Sequence, residues 1–267
     1  ERHFPSDSKL MYKSASGSLE HMNIFEVSNI NTTLKYLREK NFWTYGFDPK
    51  SNKNFTEVNL KGNNILLTGG RGLLGSNIIK SNYFNSLIAP SKIIFDVTDN
   101  DKIDSFISNN NFDTVIHCAA LARMKTCQKN PGKAIMINLI GTANLVKSIL
   151  RLEIEKHKKI RFIHISTDGV YSSESGNYSE SSATIPYNYY GWSKLGAECA
   201  VRLLSNHCII RTRFFDSENI PFNDVPTDIY SSSLPLNEIV KAIHFIHNSN
   251  FIGTINIGDE RLSDFDR

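Results

Sequence analysis

Tyr190 and Lys194 stand four residues apart in the run Tyr189-Tyr190-Gly191-Trp192-Ser193-Lys194, so on a helix they share one face. An ammonium beside a phenol favours the phenolate and lowers its pKa from about 10 toward the range useful for passing a proton at neutral pH. Arg161–Thr167 (RFIHIST) reads as a strand ending in hydroxyls. Thr167, at its end, can hydrogen-bond the same substrate oxygen that Tyr190 protonates. A lone Tyr-x-x-x-Lys is common by chance and is more often a solvated helix face. Order gives it weight here: a glycine turn, Asp-Val, Ala-Ala, Ser-Thr-Asp and then Tyr-x-x-x-Lys follow one another along the chain.

The elements that must position these groups begin at residues 65–75, ILLTGGRGLLG. An apolar strand runs into glycines at 69, 72 and 75, and Leu73, Leu74, Ile78 and Ile79 continue at helical spacing. Strand, glycine turn and helix is the order that a dinucleotide site requires. Gly69 permits the tight turn, Gly72 lets backbone approach a pyrophosphate, and Gly75 lets the helix pack close to the sheet. The phosphates would sit on the N–H groups opening the helix at Leu73 and Leu74. The bland alternative is a glycine-rich turn with no ligand.

A second strand is expected at 86–89. Where an acidic residue would bond the ribose hydroxyls of NAD, the chain has Pro90, Ser91 and Lys92. A hydroxyl and a cation tolerate a 2′-phosphate, so NADP is expected, with NAD possible; Lys92 is equally readable as a solvated loop lysine. Residues 93–99 (IIFDVTD) read as another strand end, with Asp96 placed to accept from an adenine amino group and the Val97 backbone flanking the ring. Asp99 reads as the cap of a helix carrying Ile103, Phe106 and Ile107.

Residues 114–120 (TVIHCAA) read as a buried strand, with Ala119 and Ala120 leaving room for a ribose or nicotinamide linkage. His117 and Cys118 are adjacent and so point to opposite faces, which favours core packing over a catalytic pair. A long amphipathic helix is expected at 131–152. Asn138 inside it is either surface decoration or a bond to kinked backbone behind the site. Helices at 185–205 and 236–246 and a strand at Gly253–Ile257 complete the reading.

The 267 residues are 40% apolar, enough for a real core, and the formal charge of +3 is too mild to imply nucleic acid. Cysteines 118, 127, 199 and 208 show no metal-type spacing, so reduced thiols in a cytoplasmic protein are expected, with no metal site. No signal peptide or membrane span is read. Both ends read as truncated.

From about residue 63 the chain resembles the extended short-chain dehydrogenase/reductase superfamily, and most of all the dTDP-4-dehydrorhamnose reductases. The stretches that carry this are TGGRGLLG, FDVTD, FDTVIHCAA, INLIGTANLV, FIHISTDGVY, YYGWSKLGAE and IIRTRFF. The resemblance implies an α/β fold, a doubly wound Rossmann-type parallel sheet at 63–215, with a small, incomplete substrate lobe at 216–267. It implies Thr167, Tyr190 and Lys194 as the catalytic set, with Lys194 also holding the nicotinamide ribose. Asn138 would support the lysine through a bound water, and Arg211 and Arg213 would lie near a nucleotide-sugar substrate. The implied reaction is reduction of a 4-keto nucleotide-linked deoxysugar, and a homodimer is compatible with it. Gly169 follows Asp168 where related 4,6-dehydratases carry a glutamate, which argues against elimination. A 4-epimerase and a non-catalytic cofactor-binding subunit stand as alternatives.

Residues 1–67 resemble the middle of SpoU-type RNA 2′-O-ribose methyltransferases in order and spacing. Where that family continues with a Glu-containing loop, this chain has Gly70-Arg71-Gly72, and the family's early Asn/Arg motif and later methyl-donor segment are not found. The reading is a fusion near residues 62–69. Residues 1–62 then form a βαβ-like extension, with strands at 22–27 and 42–47 around a helix at 32–40, and neither methyl transfer nor RNA binding is expected.

Overall fold

The computed structural model describes residues 25, 27–39, 64–84, 86–216, 230–260 and 262–263. The chain divides into two units, Glu1–Gly62 and Asn63–Arg267. In the first, α1 (Ile30–Glu39) opens where Asn29 Oδ1 accepts from the Thr32 N–H at 3.1 Å, two residues ahead of the expected start. Phe25 and Val27 of the expected first strand lie in irregular backbone, while the rest of that strand and all of 42–47 fall outside the described residues.

The second unit is built on β1 (Ile65–Thr68), β2 (Leu87–Ile88), β3 (Thr114–His117), β4 (Arg161–Thr167) and β5 (His207–Thr212). Short pieces follow: β6 (Phe214–Phe215), β7 (Tyr230–Ser231) and β8 (Leu234–Pro235), then β9 (Gly253–Ile257) and β10 (Leu262–Ser263). The helices are α2 (Leu73–Lys80), α3 (Asn100–Asn109), α4 (Met124–Lys129), α5 (Pro131–Lys156), α6 (Tyr189–Val201) and α7 (Leu236–His247). Six strands form a parallel sheet in the order β2-β1-β3-β4-β5-β9.

Alternation along the strands sorts their residues onto two faces. Leu66, Val115, Phe162 and Ile209 pack with Ile103 and Ile107 of α3, Leu145 and Ile149 of α5 and Val201 of α6. Their neighbours Ile65, Leu67, Ile116, Ile163, Cys208 and Ile210 pack with Leu74 and Ile78 of α2 and Ile239 and Ile243 of α7. Helices on both faces are the reason the strands read as continuous apolar runs. Among the described residues, α5 is long and apolar enough to cross a membrane, but Leu145, Val146, Ile149 and Leu152 of it are buried in the sheet's core.

Residues 93–99 correct the expected strand. The Ser91 carbonyl accepts from the N–H groups of Ile94 and Phe95, and that of Asp96 accepts from Asp99 N–H at 3.0 Å. The backbone is spent on turns, and Ile93 and Ile94 stay exposed. Asp99 does cap α3, accepting from Lys102 N–H at 3.2 Å. The segment expected as a separate substrate lobe lies partly in the main sheet. β9 pairs in parallel with β5, and α7 covers one face.

Candidate active site

The parallel strands open their carboxyl ends on one edge of the sheet, the edge where open α/β sheets take ligands. The glycine turn follows β1 there, Ala119 and Ala120 follow β3, Thr167 ends β4 and Arg213 follows β5. Gly69 has φ +73°, and a Cβ on it would meet the Ala119 nitrogen at 2.6 Å; at Gly75 a Cβ would meet the Gly69 carbonyl oxygen at 2.3 Å. These two glycines hold the turn against its neighbours. Gly72 differs, because it is exposed, has φ −74°, and would bring a Cβ near only the Gly69 oxygen at 3.2 Å. α2 then starts at exposed Leu73 with no side-chain cap, while Leu74 is buried in the core. Bare backbone at an uncapped helix start fits a pyrophosphate.

Past β2, Lys92 Nζ lies 3.6 Å from Asp96 Oδ2 and is mostly exposed. The other Asp96 oxygen accepts from the Thr98 N–H at 3.0 Å and the Thr98 hydroxyl at 2.8 Å. Burial opposes ionisation of Asp96, but the two Thr98 bonds and Lys92 outweigh it and leave its pKa below the usual carboxylate value. The carboxylate read as an adenine acceptor is therefore already engaged. Val97 is buried, and its carbonyl accepts from Asn144.

Thr167 opens a 3-10 turn, Asp168–Val170, where its hydroxyl accepts from Gly169 N–H at 3.1 Å. α6 is capped by Asn188, whose Oδ1 accepts from Gly191 N–H at 2.8 Å. A Cβ on Gly191 would stand 2.2 Å from the Gly169 carbonyl oxygen, so this glycine lets α6 approach the turn. The approach sets Tyr190 beside the turn that Thr167 opens, where the Thr167 hydroxyl donates to Asp168 Oδ1 at 3.2 Å.

Lys194 departs from expectation. Its side chain is fully buried, and Nζ lies 3.1 Å from His164 Nε2 on β4. The charges that reach the phenol are instead the Asp168 carboxylate and, more weakly and in the opposite sense, the Arg213 guanidinium. Burial first, and Asp168 second, push Tyr190 up to about 12, correcting the expected fall. Burial pulls Lys194 down to about 8, against the opposing pull of Glu198.

Asn138 lies in a π-helical stretch of α5, Ile135–Ile140, and is buried. Its Oδ1 accepts from Leu121 N–H at 2.7 Å, and its Nδ2 donates to the Leu121 carbonyl and to Ser193 Oγ at 2.8 Å. It ties the loop after β3 to α6 directly.

Arg211, expected near the nucleotide-sugar substrate, lies on the wall of a cavity and is also the buried partner of Glu198. Nη2 donates to Oε2 at 2.7 Å and Nε to Oε1 at 3.1 Å, while Nη1 donates to the Tyr171 hydroxyl at 2.8 Å. The reason is parity: Arg211 shares its face of β5 with Ile209, the face α6 covers. Arg213 is half-exposed and pairs with Asp168 at 2.9 Å. Arg211, Arg213, Asp168, Tyr178, Tyr230 and Asn256 line a cavity of about 380 Å³ that reaches the turn after Thr167 at Asp168.

This layout has a match among known proteins. The RmlD substrate binding domain family matches residues 63–222. The chain belongs to this family. A dTDP-4-dehydrorhamnose reductase of Mycolicibacterium smegmatis is 27% identical over 164 residues, covering 60% of this chain and 48% of that relative. The chain spans about half the length of the curated relatives it matches first. Among solved structures, a hypothetical dTDP-4-dehydrorhamnose reductase from Sulfolobus tokodaii is 27% identical with a TM-score of 0.66, covering 76% of this chain and 79% of that one. A Bacillus anthracis dTDP-4-dehydrorhamnose reductase in complex with NADP is 22% identical with a TM-score of 0.69, covering 78% and 79%.

In this member of the RmlD family, sequence reasoning missed His164 and Glu198. Glu198 follows Lys194 at helical spacing and so shares its face, a signal present in the sequence. His117 and His164 are register partners on β3 and β4 with rings stacked at 5.4 Å. Burial, and then the Lys194 charge, hold His117 down at about 3 against 6.5 unfolded. The unfolded chain therefore binds a proton that the folded one refuses, so stability present above pH 6.5 is lost as pH falls toward 3. Below pH 6.5 this histidine should cost about 1.4 kcal/mol per pH unit. Urea midpoints at pH 7 and pH 5 check it: the drop should be smaller in His117→Gln than in the parent, and an equal drop contradicts it.

Proposed function

We propose that the chain is an NADP-dependent reductase of a 4-keto, nucleotide-linked deoxysugar. The observation that carries this reading is the close approach of Gly191, next to Tyr190 on α6, to the Gly169 carbonyl just past Thr167, at the strand edge that also holds the bare Gly72 turn. In this reading the Gly72 backbone and the start of α2 hold the pyrophosphate, Ala119 and Ala120 let the linkage pass, and Ser91 and Lys92 face the adenosine ribose. Bound there, the nicotinamide supplies the hydride. The matched relatives named as dTDP-4-dehydrorhamnose reductases, one of them solved with NADP, support the substrate class and the cofactor.

The substrate carbonyl oxygen is held by the Thr167 hydroxyl and receives its proton from Tyr190 as the carbonyl carbon is reduced. A phenol held at about 12 stays protonated at neutral and mildly alkaline pH, the state a proton donor to a forming alkoxide needs. Lys194 restores the charge balance from behind, and Arg213 and the aromatic rings of the cavity take the nucleotide-sugar. A cytoplasmic setting and a homodimer belong to the same reading. The test is NADPH oxidation by the full chain with dTDP-4-dehydrorhamnose as substrate. Turnover that needs the sugar is expected; NADPH that binds but is never oxidised by any 4-keto sugar nucleotide would favour the non-catalytic subunit.

A further inference from the structure

A row of polar residues crosses the sheet beneath the catalytic helix. Thr68, His117 and His164 are register partners on β1, β3 and β4, and all are buried. They lie on the face covered by α5 and α6, with Lys194 above His164.

Hydrogen bonds fix the protons at one end of the row. The Thr142 hydroxyl donates to the Asn138 carbonyl at 2.6 Å, so it can only accept at His117 Nε2, 2.9 Å away. His117 therefore carries its proton on Nε2. Its bare Nδ1 accepts from the Thr68 hydroxyl at 2.7 Å, and the Thr68 oxygen in turn accepts from Ala119 N–H. His117 is a neutral ring with both nitrogens satisfied.

His164 is not satisfied in this way. Nε2 faces Lys194 Nζ at 3.1 Å, while Nδ1 is buried with no partner among the described residues. An orphaned buried polar atom is costly, and a buried lysine is also costly unless something accepts from it. Leaving Nδ1 orphaned allows Nε2 to accept from the ammonium.

We propose that His164 is the positioning residue of Lys194, a neutral imidazole protonated on Nδ1 whose Nε2 anchors Nζ to the sheet. The proposal deepens the reductase reading and rests on it only for what Lys194 does in turnover.

The groups facing Lys194 can be named element by element. β4 contributes His164, β3 contributes His117 and Cys118, and α6 itself contributes Glu198. Glu198 is held by Ser166 and Arg211, so its charge is largely spent elsewhere. Both imidazoles are kept neutral, His164 well below its ordinary value through burial, the Lys194 charge and His117. Acceptance by His164 is therefore the direct hydrogen bond that favours the charged lysine, and removing it should make the ammonium harder to hold.

The test needs neither cofactor nor substrate, so it stands or falls separately from the reductase reading. In the full chain with carbon-13 at lysine Cε, the Lys194 signal is assigned by its absence in Lys194→Met and titrated. It should titrate near pH 8 in the parent, lower by about one pH unit in His164→Leu, and back toward the parent value in His164→Gln, which restores an acceptor. An unchanged Lys194 titration in folded His164→Leu overturns the proposal. Should His164→Leu not fold, nitrogen-15 histidine spectra of the parent decide: His164 neutral with its proton on Nδ1 supports the anchor, and a proton on Nε2 or an imidazolium refutes it.

Discussion

Tyr190→Phe should lower turnover of NADPH with the 4-keto sugar nucleotide about a hundred- to ten-thousand-fold, the usual cost of removing a positioned proton donor. Only the hydroxyl is lost. The ring keeps its partly buried place on α6, and the helix cap at Asn188 and the close contact of Gly191 with Gly169 are untouched. NADPH affinity should therefore stay within about twofold, because the loss falls on the proton transferred and not on uniform binding. Since the phenol stays protonated up to about 12, an alkaline fall of activity near pH 8 would come from Lys194, whose pKa burial lowers to about 8. Steady-state rates of parent and variant between pH 6 and pH 9 separate these cases. A Tyr190→Phe chain with parental turnover contradicts the assignment of the proton donor.

Arg211→Leu should destabilise the chain by about 3–5 kcal/mol, because it leaves the buried Glu198 carboxylate without its cation. Glu198 and Arg211 side chains are 1% and 3% exposed, so water cannot take over. The network is wide. Ser166 donates to Glu198, Arg211 donates to Tyr171, and Tyr171 donates to Asn256 at 2.8 Å. Bonds from α6, β4, β5 and β9 thus meet at one ion pair next to the candidate site. Replacing both partners, as in Glu198→Leu with Arg211→Leu, should cost less than either single change, since no uncompensated charge remains. Urea denaturation of the three variants measures it. A single variant within about 1 kcal/mol of the parent would show that the pair is not held as described.

These two predictions touch residues that were unequally legible. Tyr190, Lys194 and Thr167 stand out because α6 and β4 put sparse polar groups at fixed helical and strand offsets, and Gly69, Gly72 and Gly75 stand out by spacing. Fully buried parallel strands hide their parity, since RFIHIST is buried on both faces. Nothing in the run says that His164 and Ser166 face α6 until the helix is docked. The Glu198 partner of Arg211 was hidden for the same reason: a cation at a strand end reads as lying near a ligand, as its place on the cavity wall allows, but Glu198 lies on an element whose rotation the sequence does not show.

The turn at 93–99 failed in the opposite direction. IIFDVTD has the composition of a strand, but Ser91 and Asp96 close successive turns and leave Ile93 and Ile94 outside. β9 reads correctly as a strand, and only its pairing with β5 reveals that it completes the main sheet.

The measurement that tests the central claim most directly is calorimetric titration of the full chain with NADPH and, separately, NADH, alongside Gly72→Val. Gly72 has an ordinary φ of −74°, and a Cβ there would meet only the Gly69 oxygen, at 3.2 Å, a contact that a shift of a few tenths of an ångström in the turn relieves, so valine there should still fold while blocking close approach to the α2 start. Binding of NADPH tighter than NADH, lost at least tenfold in folded Gly72→Val, is the predicted result. A folded parent chain that binds neither nucleotide, or a Gly72→Val chain that binds NADPH as the parent does, would contradict it.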